Sequence, residues 1–424
     1  MSRISIIEQD LTVPVPVYDT TDVVFVPGFS SLNLSEDGAA AQGVPTLCRS
    51  IAEFTKYFGS HAPVFSSNQN YPAGFSVNAT NGLSNPWFKV GDADPSYIYA
   101  CELLAQGIPV VYERMNMDTA DISVDAAYSY LKDMVFCSTR SATPLYPTAV
   151  QYSDATAYSV GDVVYTGTTT RTYYKCTAAV TAGQHAPPDD DYWALLPSTQ
   201  DTDQPLLNLA LPVKYITSGG YPTHEFTGID IATNIAKVRG DCVALVDYLD
   251  NPTRKLAGTA GDDSIYSSVA AAASEYAAMF VPWIVVRFTQ SYTVVGGTTA
   301  TSNQHMPPSF AYLTALASAL AYASNTQAIA GVTRGQIPNL VALNTNYTLT
   351  NTIAESTFQP DTGVSINGIT DITTYGYRIW GNRTMKDNNN GTTATSFLNI
   401  RNVVSDIKKV IYSAAVMTLF EPNA

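Results

Sequence analysis

Charge is scarce in this chain, and so are the residues that usually carry chemistry. Asp, Glu, Lys and Arg make up 14% of 424 residues, and there are four histidines, His61, His185, His224 and His305. None of the four has a second histidine at metal-ligand spacing, so a zinc centre of the two-histidine kind is not expected. His185 lies in a proline-rich loop and His224 precedes Glu225, and both read as solvated loop residues. There is no Gly-x-Ser-x-Gly elbow and no Walker A loop, and GFSSLNLSEDG is a flexible loop bounded by glycines. The run Asp189-Asp190-Asp191 could collect a cation, but three neighbours on one extended run do not converge, which leaves a solvated turn. The five cysteines, Cys48, Cys101, Cys137, Cys176 and Cys242, are far apart and form no Cys-x-x-Cys. That excludes a disulfide framework and fits reduced, buried thiols in a protein assembled in a cytoplasm. Catalysis, a metal and a cofactor are all unexpected.

Basic runs are also missing. Net charge is −14 and no Lys/Arg run exceeds Lys408-Lys409, so nucleic acid is not expected as a direct partner. The first residues, MSRISIIEQDLTVP, lack the basic and apolar regions of a signal peptide. The longest apolar stretch, near Ala277–Val286, is broken by Pro282 and is too short to span a bilayer. The expectation is a soluble protein without membrane insertion.

What the chain has instead is Ser, Thr, Asn and Tyr, which make a polar surface that can meet neighbours without desolvating many ions. Its length suggests about three units. Residues 1–20 alternate apolar side chains but carry Pro14 and Pro16, which suits an extended arm. Val23–Val26 reads as a strand ended by Pro27-Gly28. Ser50 is placed to cap a helix with Ile51, Phe54, Tyr57 and Phe58 on one face, closed by Gly59. A second helix follows Asp94-Pro95, then Gly107 and a buried strand Val110–Tyr112. Helices are expected over 124–135 and 229–238, and a buried strand over Cys242–Asp247. SIYSSVAAAASEYAAMF reads as a further helix, leading through Pro282-Trp283 into strand Ile284–Arg287. Pro307-Pro308 opens another helix. This order predicts a mixed α/β (α+β) core on a mixed sheet.

Composition changes between about 116 and 214. The expected division is an arm over 1–20, a first core segment over 21–115, an inserted protruding domain over 116–214, and a second core segment over 215–424. The core is therefore discontinuous in sequence.

The last fifty residues carry the strongest pattern. Phe397, Ile400, Val403, Val404, Ile407, Val410, Ile411, Ala414 and Met417 recur at three-to-four spacing, which predicts a helix with one buried apolar face. Ser396 is placed to cap it and Pro422 to stop it. Before it stands Trp380-Gly381-Asn382-Arg383-Thr384, and after it Phe420-Glu421-Pro422-Asn423. A Trp-Gly-x-Arg-Thr turn followed by a long helix ending Phe-Glu-Pro-Asn resembles contractile tail sheath proteins of myovirus-type bacteriophages and phage-tail-like injection systems. GVP…SIAEFTKYFG, RGDCVALVD, EYAAMFVPWIVV and MPPSFAYLTALASALA are similar to segments of that family in the same order.

The resemblance implies a structural subunit that polymerises as stacked hexameric rings around an inner tail tube and contracts to drive the tube through a host envelope. Other sheath subunits, the tube protein, baseplate and tail terminator or neck proteins are the implied partners. A virion tail, assembled in the host bacterial cytoplasm, is the implied location. It also implies that the 1–20 arm adds a strand to a neighbour's sheet. The family usually continues past Phe-Glu-Pro-Asn into a small α/β segment that these residues do not contain; it is either removed or supplied by a second polypeptide. Arg401, Lys408 and Lys409 stand out on the last helix of an acidic chain and are either a contact for an acidic tube or an ordinary solvated face.

Within the insertion, residues 150–197 resemble the small β modules of chitin- and cellulose-binding domains of chitinases, through Tyr158, Gly161, Asp162, Val164, Tyr165, Tyr174, Cys176, Pro187, Pro188, Tyr192 and Trp193. Thr177-Ala178-Ala179 stands where chitin-binding members often carry aromatics. Tyr158, Tyr165, Tyr174 and Trp193 are the candidate glycan contacts; the alternative is that they fill the core of a decorative surface module. A glycan-binding virion or cell-surface adhesin is thus the second functional reading. A secreted chitinase would need paired acids on a barrel and a signal peptide, and neither is visible.

Overall fold

The computed structural model describes residues 22–30, 43–65, 93–115, 127–128, 130–136, 149–167, 172–196, 204–209, 211–221, 231–248, 273–297, 299, 303–321, 324, 326–344, 363–389 and 391–418. The expected arm over 1–20 and Phe420, Glu421, Pro422 and Asn423 lie outside them.

In chain order the elements begin β1 (Val24–Gly28), β2 (Thr46–Cys48), α1 (Ile51–Phe58), α2 (Pro95–Ala105) and β3 (Val110–Arg114). Four short strands follow, β4 (Val150–Gln151), β5 (Val163–Thr166), β6 (Thr172–Cys176) and β7 (Trp193–Leu196). Next come β8 (Tyr215–Ile216), β9 (Val243–Val246), β10 (Ala277–Val281), β11 (Trp283–Arg287), β12 (Asn303–Met306) and α3 (Pro308–Leu320). The chain closes with β13 (Leu340–Asn344), β14 (Asn367–Ile372), β15 (Gly376–Trp380) and α4 (Leu398–Thr418).

The fold is mixed α/β. Its main sheet has eight strands in the order β15-β14-β10-β9-β8-β1-β3-β2. Every pairing from β14 through β3 is parallel, and the two outer strands, β15 and β2, run antiparallel. Strands from both sides of the 116–214 stretch share this sheet, because β1 pairs with β8.

Period-two alternation explains why the strands are apolar on both faces. Val24, Val26, Val110, Tyr112, Tyr215, Val243, Leu245, Ala278 and Phe280 face the cluster that includes α1, α2 and α3. Phe25, Val111, Ile216, Ala244, Val246, Ala277, Met279 and Val281 face a second cluster on the other side. Helices start where the sequence signals them. Ser50 accepts from the Glu53 N–H, and Asp94 accepts from the Ser96 N–H ahead of Pro95. At Gly28 an added Cβ would run into Ser96 and the Tyr112 hydroxyl, so this strand end approaches α2 more closely than any side chain permits.

Two expectations are corrected. The helix expected to run through Glu275–Phe280 is not there: Ala277–Val281 is a central strand, paired with β9 on one side and β14 on the other. Alanine's helix propensity is overridden by two parallel neighbours. The helices expected over 124–135 and 229–238 are present among the described residues, with wide π-type turns inside them at Leu131–Val135 and Ala232–Ala236. Finally, Ser396 does not directly cap α4. It pairs with Thr393 in a reciprocal capping box at a short 3-10 turn, after which α4 begins at Leu398.

Strands β4–β7 form a separate four-stranded sheet with its own apolar cluster, and β11–β13 form a three-stranded sheet. No helix among the described residues is long and apolar enough to cross a membrane.

Candidate functional site

The Trp380–Thr384 turn is stitched between a strand and the start of α4. Asn367 on β14 is the fastening point: its Nδ2 donates to the Met279 carbonyl at 3.0 Å and the Arg383 carbonyl at 2.8 Å, and its Oδ1 accepts the Arg383 N–H at 2.7 Å. Gly381 leaves no space for a side chain here, since a Cβ would sit 2.7 Å from Asn367 Oδ1. Beyond it, the Thr384 hydroxyl donates to the Thr395 carbonyl at 2.9 Å, and the Leu398 N–H donates to the Asn382 carbonyl at 3.0 Å. The turn thereby fixes where α4 leaves the sheet. Trp380 stays 41% exposed, and the Arg383 guanidinium lies 4.2 Å above the Phe397 ring.

Helix α4 is polar on the side it packs and apolar on the side it shows. Leu398, Arg401, Asn402, Ser405 and Lys409 are buried. Ile407, Val410, Ile411 and Tyr412 are exposed, with Ile407 at 52% and Ile411 at 61%. The single apolar buried face expected from the spacing is therefore corrected: the three-to-four repeat is present, but Ile400, Val403 and Val404 are only half-buried and from Ile407 on it points outward. The reason lies in the surface beneath. Lys214, itself buried, bridges Asp22 at 3.0 Å and Asp406 on α4 at 2.8 Å. Lys409 Nζ donates to the Val213 carbonyl at 2.7 Å, and Asn402 Nδ2 to the Tyr215 hydroxyl at 2.9 Å. Arg401 stacks 4.2 Å over Tyr276 and approaches Glu275 at 3.7 Å. A bed of carboxylates, carbonyls and hydroxyls selects the polar side of the helix.

This geometry also corrects the basic face. Arg401 is 2% and Lys409 6% exposed, and burial lowers the Lys409 pKa. Of the three cations, Lys408 alone is exposed, with its ammonium 5.7 Å from the Tyr276 ring.

The glycan candidates fare similarly. Tyr158, Tyr174 and Trp193 are buried with Val164, Cys176 and Val180, and they form the core of the four-stranded sheet. Trp193 Nε1 donates to the His185 carbonyl at 2.6 Å, and the Tyr158 hydroxyl accepts the Ser153 N–H at 2.8 Å. Their rings present no free face to a sugar. Tyr165 is half-buried against Tyr173, centroids 5.9 Å apart. Asp189 of the acidic run is tied to His185 Nδ1 at 2.9 Å.

Two buried acids sit at the carboxyl ends of the parallel strands; sequence reasoning found Asp94 only as the start of a helix and missed Asp247. Asp94 accepts from the Phe29 and Ser96 N–H groups and from the Ser96 and Tyr221 hydroxyls. Burial outweighs those donors and raises its pKa to about 6. Asp247 accepts from the N–H and hydroxyl of Ser309 at the start of α3, and burial raises it to about 7. Asp94 before a proline was readable as a helix cap; the demand for Asp247 comes from α3, sixty residues on, and left no local signal. Both acids fasten helices to strand ends. Four cysteines among the described residues are buried and unpaired in disulfides, and no cluster there could hold a metal ion.

No protein-family model and no curated protein matches the sequence. Among solved structures, the chain is similar to the contracted sheath complex of an extracellular contractile injection system, PVC, at 14% identity and TM-score 0.45, covering all of this chain and 76% of that one. It is similar to the contracted helical sheath of the anti-feeding prophage at 14% identity and TM-score 0.42, over 96% and 72% of the two chains. It is also similar to a sheath tail protein of Desulfitobacterium hafniense at 11% identity and TM-score 0.43, covering 100% of this chain and 85% of that one.

Proposed function

We propose that this chain is a structural subunit of a contractile sheath, without catalytic activity. Its copies pack as stacked hexameric rings around an inner tube, and a change of lattice drives that tube through an envelope. The observation that carries the reading is the outward apolar stripe of α4, anchored by the Trp-Gly-x-Arg-Thr turn. A helix that buries Arg401 and Lys409 and shows Ile407, Val410, Ile411 and Tyr412 gains from being covered by another molecule. Burying such a stripe in every subunit stabilises a polymer by small equal steps.

In this reading the inner tube is what covers α4, and the contact is apolar with Lys408 at its edge rather than a basic face. Baseplate and terminator proteins meet the ends of the polymer, and the 1–20 arm ties neighbouring copies. The division into core and insertion puts the β4–β7 sheet on the outside, where it does not obstruct the lattice. A virion tail or a related injector, built in a bacterial cytoplasm, is the setting. The adhesin reading loses its sugar platform, because three of its four aromatics are core residues. Negative-stain electron microscopy of the full chain, co-produced with its tube protein, tests the proposal; tubes or rings are expected, and dispersed monomers would refute it.

A further inference from the structure

Among the described residues, the Arg383 guanidinium has no acceptor. Its backbone N–H is taken by Asn367 and its side chain lies on the Phe397 ring, yet among the described residues the guanidinium makes no hydrogen bond and no ion pair. Nη1 is shielded from solvent and unpaired. Burial lowers the pKa of this group, while arginine keeps its charge at any ordinary pH, so the folded subunit holds a partly desolvated cation that among the described residues faces the Phe397 ring.

Arg383 also lines an open pocket of about 400 Å3, together with Ala328, Asn382, Phe397, Asn399 and Ile400. Its neighbours are hydrogen-bonded to one another and to the chain. Asn382 Nδ2 donates to Asn399 Oδ1 at 2.6 Å, and Asn399 Nδ2 donates to the Thr326 carbonyl at 3.1 Å. Among the described residues, Asp406 is engaged with Lys214, and Glu275 with Lys386 and Arg401.

The geometry points to a carboxylate-binding pocket at Arg383 whose occupant is an Asp or Glu side chain of a second copy of this chain. A carboxylate matches the planar fork of a guanidinium with two parallel hydrogen bonds, and the apolar walls suit the methylene that carries it. A second copy is favoured by charge, since each chain has 36 acidic against 22 basic residues and so carries acids beyond its own cations. For its occupant, this inference rests on the assembly proposed above.

The test is self-association of the full chain, followed by sedimentation velocity, with Arg383→Met. The expected result is an association weakened about tenfold or more, which corresponds to about 1.4 kcal/mol, in a variant that melts with the wild type. A variant that melts with the wild type and associates equally well overturns the inference and leaves the sheath reading standing. Should Arg383→Met fail to fold, the wild type is challenged with N-acetyl-glutamate N-methylamide and with its glutamine counterpart, at matched ionic strength. Weakening by the glutamate compound alone supports the pocket, and equal effects of the two overturn it. A wild type that never associates defeats the sheath reading and the proposed occupant together.

Discussion

The ammonium of Lys409 donates to the backbone carbonyl of Val213 at 2.7 Å, 196 residues earlier in the chain, while its neighbour Lys408 is exposed, with its ammonium 5.7 Å from the Tyr276 ring. Adjacent lysines thus have opposite roles. Lys409→Met leaves that carbonyl unpaired and is expected to destabilise the subunit by about 1–3 kcal/mol. Lys408→Glu is expected to stay within about 0.5 kcal/mol of the wild type. Urea unfolding of the two variants, side by side, checks the difference.

A complementary outcome is expected at Ile411. It is 61% exposed, so Ile411→Glu should leave folding within about 0.5 kcal/mol of the wild type. Assembly should be lost, because a carboxylate would be carried into the covered stripe. Melting and pelleting of the same preparation read the two effects separately.

Gly381 is fixed by contact rather than by backbone conformation. A Cβ would meet Asn367, whose side chain is held by three hydrogen bonds and cannot yield. Gly381→Ala is therefore expected to cost about 1–3 kcal/mol in overpacking, measured by denaturant unfolding.

These residues mark how much was legible in the sequence. Val243–Val246 was readable as a buried strand from its unbroken apolar run, and Ser50 and Asp94 from cap chemistry next to apolar stripes. Such signals are local. The orientation of α4 was not readable, because it is decided by Asp22, Lys214, Val213, Tyr215 and Glu275, all far earlier in the chain. Tertiary pairing likewise made Ala277–Val281 a strand against its alanines. In the β4–β7 sheet, aromatic residues signalled a small core and a sugar platform equally well, and only burial separates the two.

That separation is itself testable. The full chain is expected to pass through a chitin column unretained. Trp193→Ala should unfold the small sheet at a cost of about 3–5 kcal/mol, seen as loss of aromatic near-ultraviolet dichroism. Retention on chitin that survives Trp193→Ala would contradict the assignment.

The buried acids make stability depend on pH with a definite sign. Asp94 at about 6 and Asp247 at about 7 both lie above the ordinary aspartate value of 3.8, so the folded state holds these protons more tightly than the unfolded chain. Ionising them costs stability above pH 7, and the cost is relieved as pH falls through about 7 and then about 6 towards 4. Asp247→Asn keeps an acceptor for the Ser309 N–H and removes the titration. The wild type should lose on the order of 2–4 kcal/mol relative to Asp247→Asn between pH 4 and pH 8, by urea unfolding at each pH. Parallel curves would refute the assignment.

The most direct measurement is electron microscopy of the full chain with its tube protein, wild type against Ile411→Glu. Ordered tubes or ring stacks for the wild type, and folded but dispersed subunits for the variant, are the predicted pair of images. Ordered polymer from both, or dispersed subunits from both, would contradict the claim that the outer stripe of α4 joins this protein to its assembly.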